Sequence, residues 1–259
     1  MDIDLNCDMG ESYGRWVLGA DAEIMPFITA ASIACGFHGG DPHVMRKTVA
    51  LALEHGVAIG AHPSLPDLMG FGRRAMAVTA PELKDYVCYQ MGALREFARA
   101  AGASLQHVKT HGILYDMMEK DPALARAVGE AVRESGGKKD LIAVTLAAGK
   151  AERLCRELGL RVAAEGFADR AYNPDGTLVS RRLPGALIDD PMRAAAQAVR
   201  MACEGKVRAI DGTDLDLRID TLCCHGDTPG AAQIVQAVRA ALEAAGCRVR
   251  PLREFVPAA

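Results

Sequence analysis

The amino-acid sequence predicts an α/β fold, a TIM-like (β/α) barrel occupying residues 1–259 as a single domain. Three observations carry that expectation. Short apolar segments alternate with amphipathic ones of helical period, which requires parallel strands joined by right-handed crossovers. Seven or eight such units fit within 259 residues, the size of one barrel of this kind. Nearly every predicted strand also ends in residues able to do acid, base or ligand chemistry. A doubly wound open sheet is the alternative, but its Gly-rich turn is missing: Asn6-Cys7-Asp8-Met9-Gly10-Glu11 is not G-x-G-x-x-G.

The first strand is read over Asp2 to Asn6 and the second near Ser32 to Cys35. Asp41 then caps a helix with Pro42 at its first position, and His55-Gly56 stops it. The third strand is Val57 to Ala61. Thr79 to Glu82 reads as a capping box, and Leu83, Val87, Met91, Leu94 and Ala98 mark one stripe of the long helix behind it. The fourth strand runs near Gln106 to Thr110, and Asp121-Pro122 opens the next helix. Leu141 to Thr145 and Arg161 to Glu165 are the fifth and sixth strands, with a helix from Lys150 to Leu158 between them. Gly166 to Ile188 breaks the rhythm with the turn signal Asn173-Pro174-Asp175-Gly176 and reads as a long loop with a hairpin over the active site. Asp190-Pro191 starts a helix, Glu204 to Asp220 is irregular, and Thr221 to Cys224 is the seventh strand. A helix from Gly230 to Ala245 leads to Cys247–Arg250, a candidate eighth strand.

Composition excludes several functions. The net charge is −3, with 30 basic and 33 acidic residues spread along the chain, so neither nucleic acid nor a charged membrane surface is expected as a partner. No uncharged apolar run approaches the roughly 18 residues of a membrane helix. None of the 8 cysteines forms a C-x-x-C pair, and the amino terminus is polar from its second residue, unlike a signal peptide. A cytoplasmic protein with reduced thiols is the expectation. Neither Gly137-Lys138 nor Gly149-Lys150 completes a P-loop, and no serine sits in G-x-S-x-G.

In a barrel the carboxyl ends of all strands meet around one pocket. The expected catalytic set there is Asp8, Glu11, His38, His62, Lys109, His111 and His225. Asn6, Asp41, Glu165, Asp169, Arg170 and Asp227 are expected to bind substrate. Asp8 and Glu11 can split into an acid and a base, histidines can relay protons, and Lys109 and Arg170 can hold a carboxylate. Asp8, His38 and His62 are also a candidate trio for a divalent metal that activates water. Any one of these has a structural alternative: a histidine after a strand is commonly a loop residue, and an Asp before Pro commonly caps a helix. What independent capping explains poorly is the concentration of such residues at the same end of units far apart in sequence. His107, inside a strand, and His55, ending a helix, are given no role.

Six motifs in order resemble the LamB/YcsF family of 5-oxoprolinase A subunits. They are Asp4-Leu5-Asn6-Cys7-Asp8-Met9-Gly10-Glu11; Ala34-Cys35-Gly36-Phe37-His38-Gly39-Gly40-Asp41-Pro42; Gly60 to Asp67 with Gly70-Phe71-Gly72-Arg73-Arg74; Val108-Lys109-Thr110-His111-Gly112; Glu165 to Arg170 with Asp175-Gly176; and His225 to Pro229. The family usually has Pro, Ala and Asn where Thr110, Ile113 and Asp116 stand. The resemblance implies a seven-stranded barrel of the glycoside hydrolase/deacetylase type. It implies ATP-dependent opening of the 5-oxoproline lactam to glutamate, with partner subunits B and C and with ATP as co-substrate of the complex. In that reading Asp8 or a histidine activates water, and Lys109 or His111 stabilises the oxyanion. The competing expectations are a metal-dependent carbohydrate or amide deacetylase and a non-catalytic subunit that delivers substrate.

Overall fold

The computed structural model describes residues 1–136, 141–227 and 230–258. Gly137-Lys138, and Thr228 with Pro229 of the last motif, lie outside the described residues. β1 (Asp2–Met9), β2 (Ala30–Ala34), β3 (Ala58–His62), β4 (Leu105–Lys109), β5 (Ile142–Leu146) and β6 (Arg161–Phe167) follow one another around a parallel sheet. β7 (Lys206–Arg208) and β8 (Asp214–Asp216) form a separate antiparallel hairpin. β9 (Thr221–Cys224) pairs in parallel with both β6 and β1 and closes a seven-stranded barrel. The helices are α1 (Asp21–Ile24), α2 (Pro42–Glu54), α3 (Ala80–Ala100), α4 (Ile113–Lys120), α5 (Pro122–Gly136), α6 (Lys150–Glu157), α7 (Pro191–Val199) and α8 (Ala231–Ala244).

Strand alternation sorts the side chains into two layers. In β1, Ile3, Leu5, Cys7 and Met9 join the apolar layer beneath the helices, while Asp4, Asn6 and Asp8 turn into the lumen. The helix caps are local and readable. Asp41 accepts from the His43 and Val44 amides ahead of Pro42, Thr79 and Glu82 form a full capping box, and Asp190 caps α7.

β10 (Arg248–Val249) pairs only with Asp2 and Ile3, at the amino end of β1. It is not an eighth barrel stave, because β9 already fills the gap beside β1, with Asp4 opposite Thr221 and Asn6 opposite Cys223. The chain beyond β10 turns under the barrel, where Leu252 and Val256 pack on Ile142, Val144 and Ala163. Arg161 binds the carbonyls of Val256 and Pro257, and Gln106 accepts from Arg253. The amino end of the barrel is thereby filled.

Three elements depart from the sequence reading. α1 and α4 were not expected, and the stretch read as irregular before the seventh strand holds the β7–β8 hairpin. α4 begins after Gly112, which offers no side-chain cap, so the strong Asp121-Pro122 signal eight residues later took its place. The segment after β6 folds back through bridges of Arg170 to Leu187 and of Tyr172 to Leu178.

His107 fills the lumen below the site. Its Nε2 lies 3.1 Å from Ser32 Oγ, and burial pushes its pKa down to about 3, so the ring is neutral. Gly60 on the neighbouring strand has no side chain, and a Cβ there would fall inside the His107 ring. Gly60→Ala is therefore expected to lower the unfolding free energy by about 2–3 kcal/mol through overpacking. Urea denaturation followed by circular dichroism measures it, and an unshifted midpoint would show that the ring has room to move.

Candidate active site

The carboxyl ends of the strands bring together three connected groups. The innermost is centred on Lys109, at the end of β4. Its Nζ lies 2.8 Å from Asp8 Oδ1, 2.9 Å from Glu165 Oε1, 2.9 Å from Asn6 Oδ1 and 3.1 Å from Cys223 Sγ. The Asp8 contact is an ion pair off the hydrogen-bonding axis rather than an aligned bond. Burial alone would push the Lys109 ammonium down, but Asp8, Cys223 and Glu165 together outweigh it and hold the pKa well above the usual lysine range. Asn6 donates to Glu165 Oε1 at 3.0 Å and to Thr221 Oγ1 at 2.8 Å, and Tyr115 donates to Glu165 Oε2 at 2.8 Å. Thr221 and Thr29 both donate to Asp4 one layer down, where burial raises the carboxyl pKa to about 7.

Asp8 is the most exposed of the charged groups around Lys109, at 8% where Glu165 is fully buried, so a reactant from the rim meets it before Glu165 or Lys109. Burial opposes its ionisation, yet the neighbouring His62 and Lys109 hold its pKa well below the usual carboxylate range. So stable an anion is a weak base, and suits orienting a water better than deprotonating one.

The second group is a histidine cluster from the ends of β2, β3 and β4. His62 Nδ1 lies 2.7 Å from the Lys109 carbonyl, and His111 Nε2 lies 2.8 Å from the Phe71 carbonyl. A carbonyl only accepts, so each of those nitrogens carries the proton and donates. The opposite nitrogens, His62 Nε2 and His111 Nδ1, face each other at 3.1 Å. Glu11 Oε1 lies 3.1 Å from His111 Nδ1 and 3.1 Å from His38 Nε2, and the His38 and His111 rings stack at 3.7 Å. Burial lowers the pKa of both rings, that of His38 to about 3. Glu11, His38, His62 and His111 offer ligand atoms all within 4.8 Å of one another, a set able to hold a metal ion.

The loop after β3 builds the outer wall of this cluster. Gln90 of α3 is buried and ties both backbone groups of Ser64. Phe71 takes the left-handed conformation (φ 54°), rare for a residue with a side chain, and in that pose its carbonyl meets His111. Gly112 (φ 61°) is required where the two loops touch, since a Cβ there would lie 2.5 Å from the Gly72 carbonyl oxygen.

The third group is a dyad. His225 Nδ1 is held by both Asp169 oxygens, at 2.9 and 3.1 Å, and the His225 amide donates to the same carboxylate at 2.9 Å. Burial opposes that charge and His225 outweighs it, keeping the Asp169 pKa below its usual range. Nδ1 thus donates to Asp169 and Nε2 is left as the proton-accepting atom. A His225 ring nitrogen lies within 4.8 Å of an Asp8 oxygen and of Cys223 Sγ, and Phe167 stacks on the ring at 5.6 Å.

Two expected substrate ligands are used structurally in this arrangement. Asp41 spends one oxygen on the α2 cap and the other on the Gly14 amide at 2.7 Å. Asp227 bridges Arg73, at 2.7 Å, and Arg181, at 3.7 Å, joining loops that follow three different strands. Arg170 donates to the Val179 carbonyl, while its buried Nε has no protein partner among the described residues. Sequence reasoning assigned no role to Tyr115, Cys223, Arg181 or the Phe71 carbonyl. Cys223 is inward-facing by strand alternation from Thr221, a signal that was present; nothing in the sequence marks a backbone carbonyl.

Fold and site together define a parallel β/α-barrel protein with a buried Lys–carboxylate–His centre at the carboxyl rim of its strands. The chain belongs to the LamB/YcsF family, whose sequence model matches residues 3–257. It is 53% identical over 256 residues to the 5-oxoprolinase A subunit of Pyrococcus horikoshii, covering 99% of this chain and 100% of that one. It is 54% identical over 248 residues to the 5-oxoprolinase A subunit of Bordetella pertussis, covering 96% and 98%. The crystal structure of a lactam utilization protein from Thermus thermophilus matches with a TM-score of 0.91 at 48% identity, covering 96% of this chain and 99% of that one. Among the described residues no helix is long and apolar enough to cross a membrane.

Proposed function

We propose that this chain is the lactam-opening barrel of an ATP-dependent 5-oxoprolinase, acting on 5-oxo-L-proline with partner subunits B and C in the cytoplasm. The observation that carries the reading is the juxtaposition of the Asp169–His225 dyad with the Lys109–Asp8–Glu165 network, in a chain about half identical over its full length to proteins named as 5-oxoprolinase A subunits. A five-membered lactam closes readily because its reacting groups are held together, so opening it needs an energy source. Overall, 5-oxoproline, ATP and two waters give glutamate, ADP and phosphate. The chain has no P-loop, so the partners handle the nucleotide and phosphorylate the lactam oxygen.

The barrel's own side chains then serve the hydrolysis. His225 Nε2 takes a proton from the attacking water and returns it to the departing ring nitrogen, with Asp169 holding the imidazole in the productive tautomer. The C–N bond breaks to leave an acyl phosphate, which the second water splits into glutamate and phosphate. Asp8 orients the water. The Lys109 ammonium stabilises negative charge developing on oxygen and keeps Asp8 ionised.

The test is glutamate formation and 5-oxoproline-dependent phosphate release by the chain alone and with both partners. We expect neither product from the chain alone, and one phosphate per glutamate from the complete set. ATP-independent release of acetate from N-acetylated sugars by the isolated chain would point instead to a deacetylase.

A further inference from the structure

We infer that Glu11, His38, His62 and His111 form a binding site for one divalent transition-metal ion of the zinc class. The inference deepens the hydrolytic reading of this site, but it stands on geometry of its own. Two imidazoles here turn their second ring nitrogen inward, into the cluster. The outward nitrogens of His62 and His111 are spent on the Lys109 and Phe71 carbonyls. The inward ones lie 3.1 Å apart, and Glu11 Oε1 is 3.1 Å from one of them.

Three of the six donor–donor edges suit a metal, and the others lie within 4.8 Å. Donors bound tetrahedrally at about 2.0–2.1 Å lie about 3.3 Å from one another. The observed separations of 3.1 Å between His62 and His111, His111 and Glu11, and Glu11 and His38 are close to that edge.

A second, independent feature is the outer support of the two rings. Metal-ligating histidines almost always donate their other N–H to a carbonyl or carboxylate, which fixes tautomer and ring direction. Both His62 and His111 do so. The carbonyl serving His111 belongs to Phe71, whose left-handed backbone caps the short 3-10 turn Leu68–Gly70 and aims that carbonyl at the ring.

The donor chemistry narrows the ion. Three imidazoles and one carboxylate, without thiolate, suit Zn²⁺, Co²⁺, Ni²⁺ or Fe²⁺ better than Mg²⁺ or Ca²⁺, which prefer all-oxygen sets. The set differs from the trio expected from sequence. His38 and His62 remain, but Asp8 directs one oxygen to Lys109, and Glu11 and His111 complete the group. Asp8 Oδ2 stays 3.3 Å from His62 Nε2, at the edge of the cluster. When bound, the ion supplies Lewis acidity beside that carboxylate.

The test uses the purified full chain, stripped with chelator and titrated with ZnCl₂ or CoCl₂ alone. We expect one equivalent to bind, with visible Co²⁺ absorption of a low-coordinate nitrogen–oxygen site. Glu11→Gln and His111→Gln, checked for folding by circular dichroism, should each weaken binding at least about 100-fold. His62→Gln serves if either fails to fold. Binding of less than a tenth of an equivalent by the wild-type chain, or unchanged affinity in the folded variants, overturns the inference. The readout is stoichiometry, not turnover. A complex inactive on 5-oxoproline that still takes up one ion defeats the proposed reaction and leaves the metal site standing; an active, chelator-insensitive complex without metal does the reverse.

Discussion

Lys109→Met is expected to lower the unfolding free energy by about 3–5 kcal/mol and to reduce lactam turnover below detection. The ammonium is 2% exposed and touches Asp8, Glu165 and Asn6 together. Removing it leaves two carboxylates buried without a counter-charge, the costly way to break a buried ion pair. The penalty falls on what remains, so neutralising one of those acids should recover part of it. The double variant Lys109→Met/Glu165→Gln should therefore unfold at higher urea than Lys109→Met while staying inactive. Denaturation by circular dichroism and glutamate formation in the reconstituted complex give the two readings. If the double variant is no more stable than the single one, the three groups do not act as one charge network.

Asp169→Asn should cut kcat by about 10²–10⁴-fold with little change in KM, the range over which a positioned acid–base group contributes. The carboxylate accepts from His225 Nδ1 and from the His225 amide, and it fixes which ring nitrogen carries the proton. An asparagine amide can donate to Nδ1 instead, which places the proton on Nε2 and removes the accepting lone pair. Residues acting as a unit are not additive, so Asp169→Asn/His225→Ala should be scarcely slower than His225→Ala alone. A further tenfold or greater loss in the double variant would separate the two residues and remove the dyad from the mechanism.

Much of this architecture was legible because it is written in periodicity. The buried strands are short apolar runs, and strong caps at Asp41, Thr79 and Asp190 announce the long helices between them. Convergence of Asp8, His62, Lys109 and His225 follows from barrel closure once their strand ends are placed. What escaped depends on contacts rather than pattern. α4 lacks a side-chain cap, and β7 and β8 have three residues each, too few for alternation to register. β10 reads like any short apolar strand, and only the direct pairing of β9 with β1 deprives it of a place in the barrel. Within the site, the sequence shows that histidines are present but not where their protons lie. That is decided by the Lys109 and Phe71 carbonyls, which any residue type would supply. Asp41 shows the same limit from the other side, a rim carboxylate whose two oxygens accept from backbone amides.

The filling beneath the barrel has a consequence for traffic. With Leu252 and Val256 seated against Ile142, Val144 and Ala163, the floor is stoppered, and small molecules enter and leave by one mouth. On the proposed reaction, a partner that hands over a short-lived activated compound would sit on that same mouth, since the described residues leave no rear entrance. Tethers or fusion tags attached at the carboxyl terminus hang from the opposite pole and leave the doorway clear.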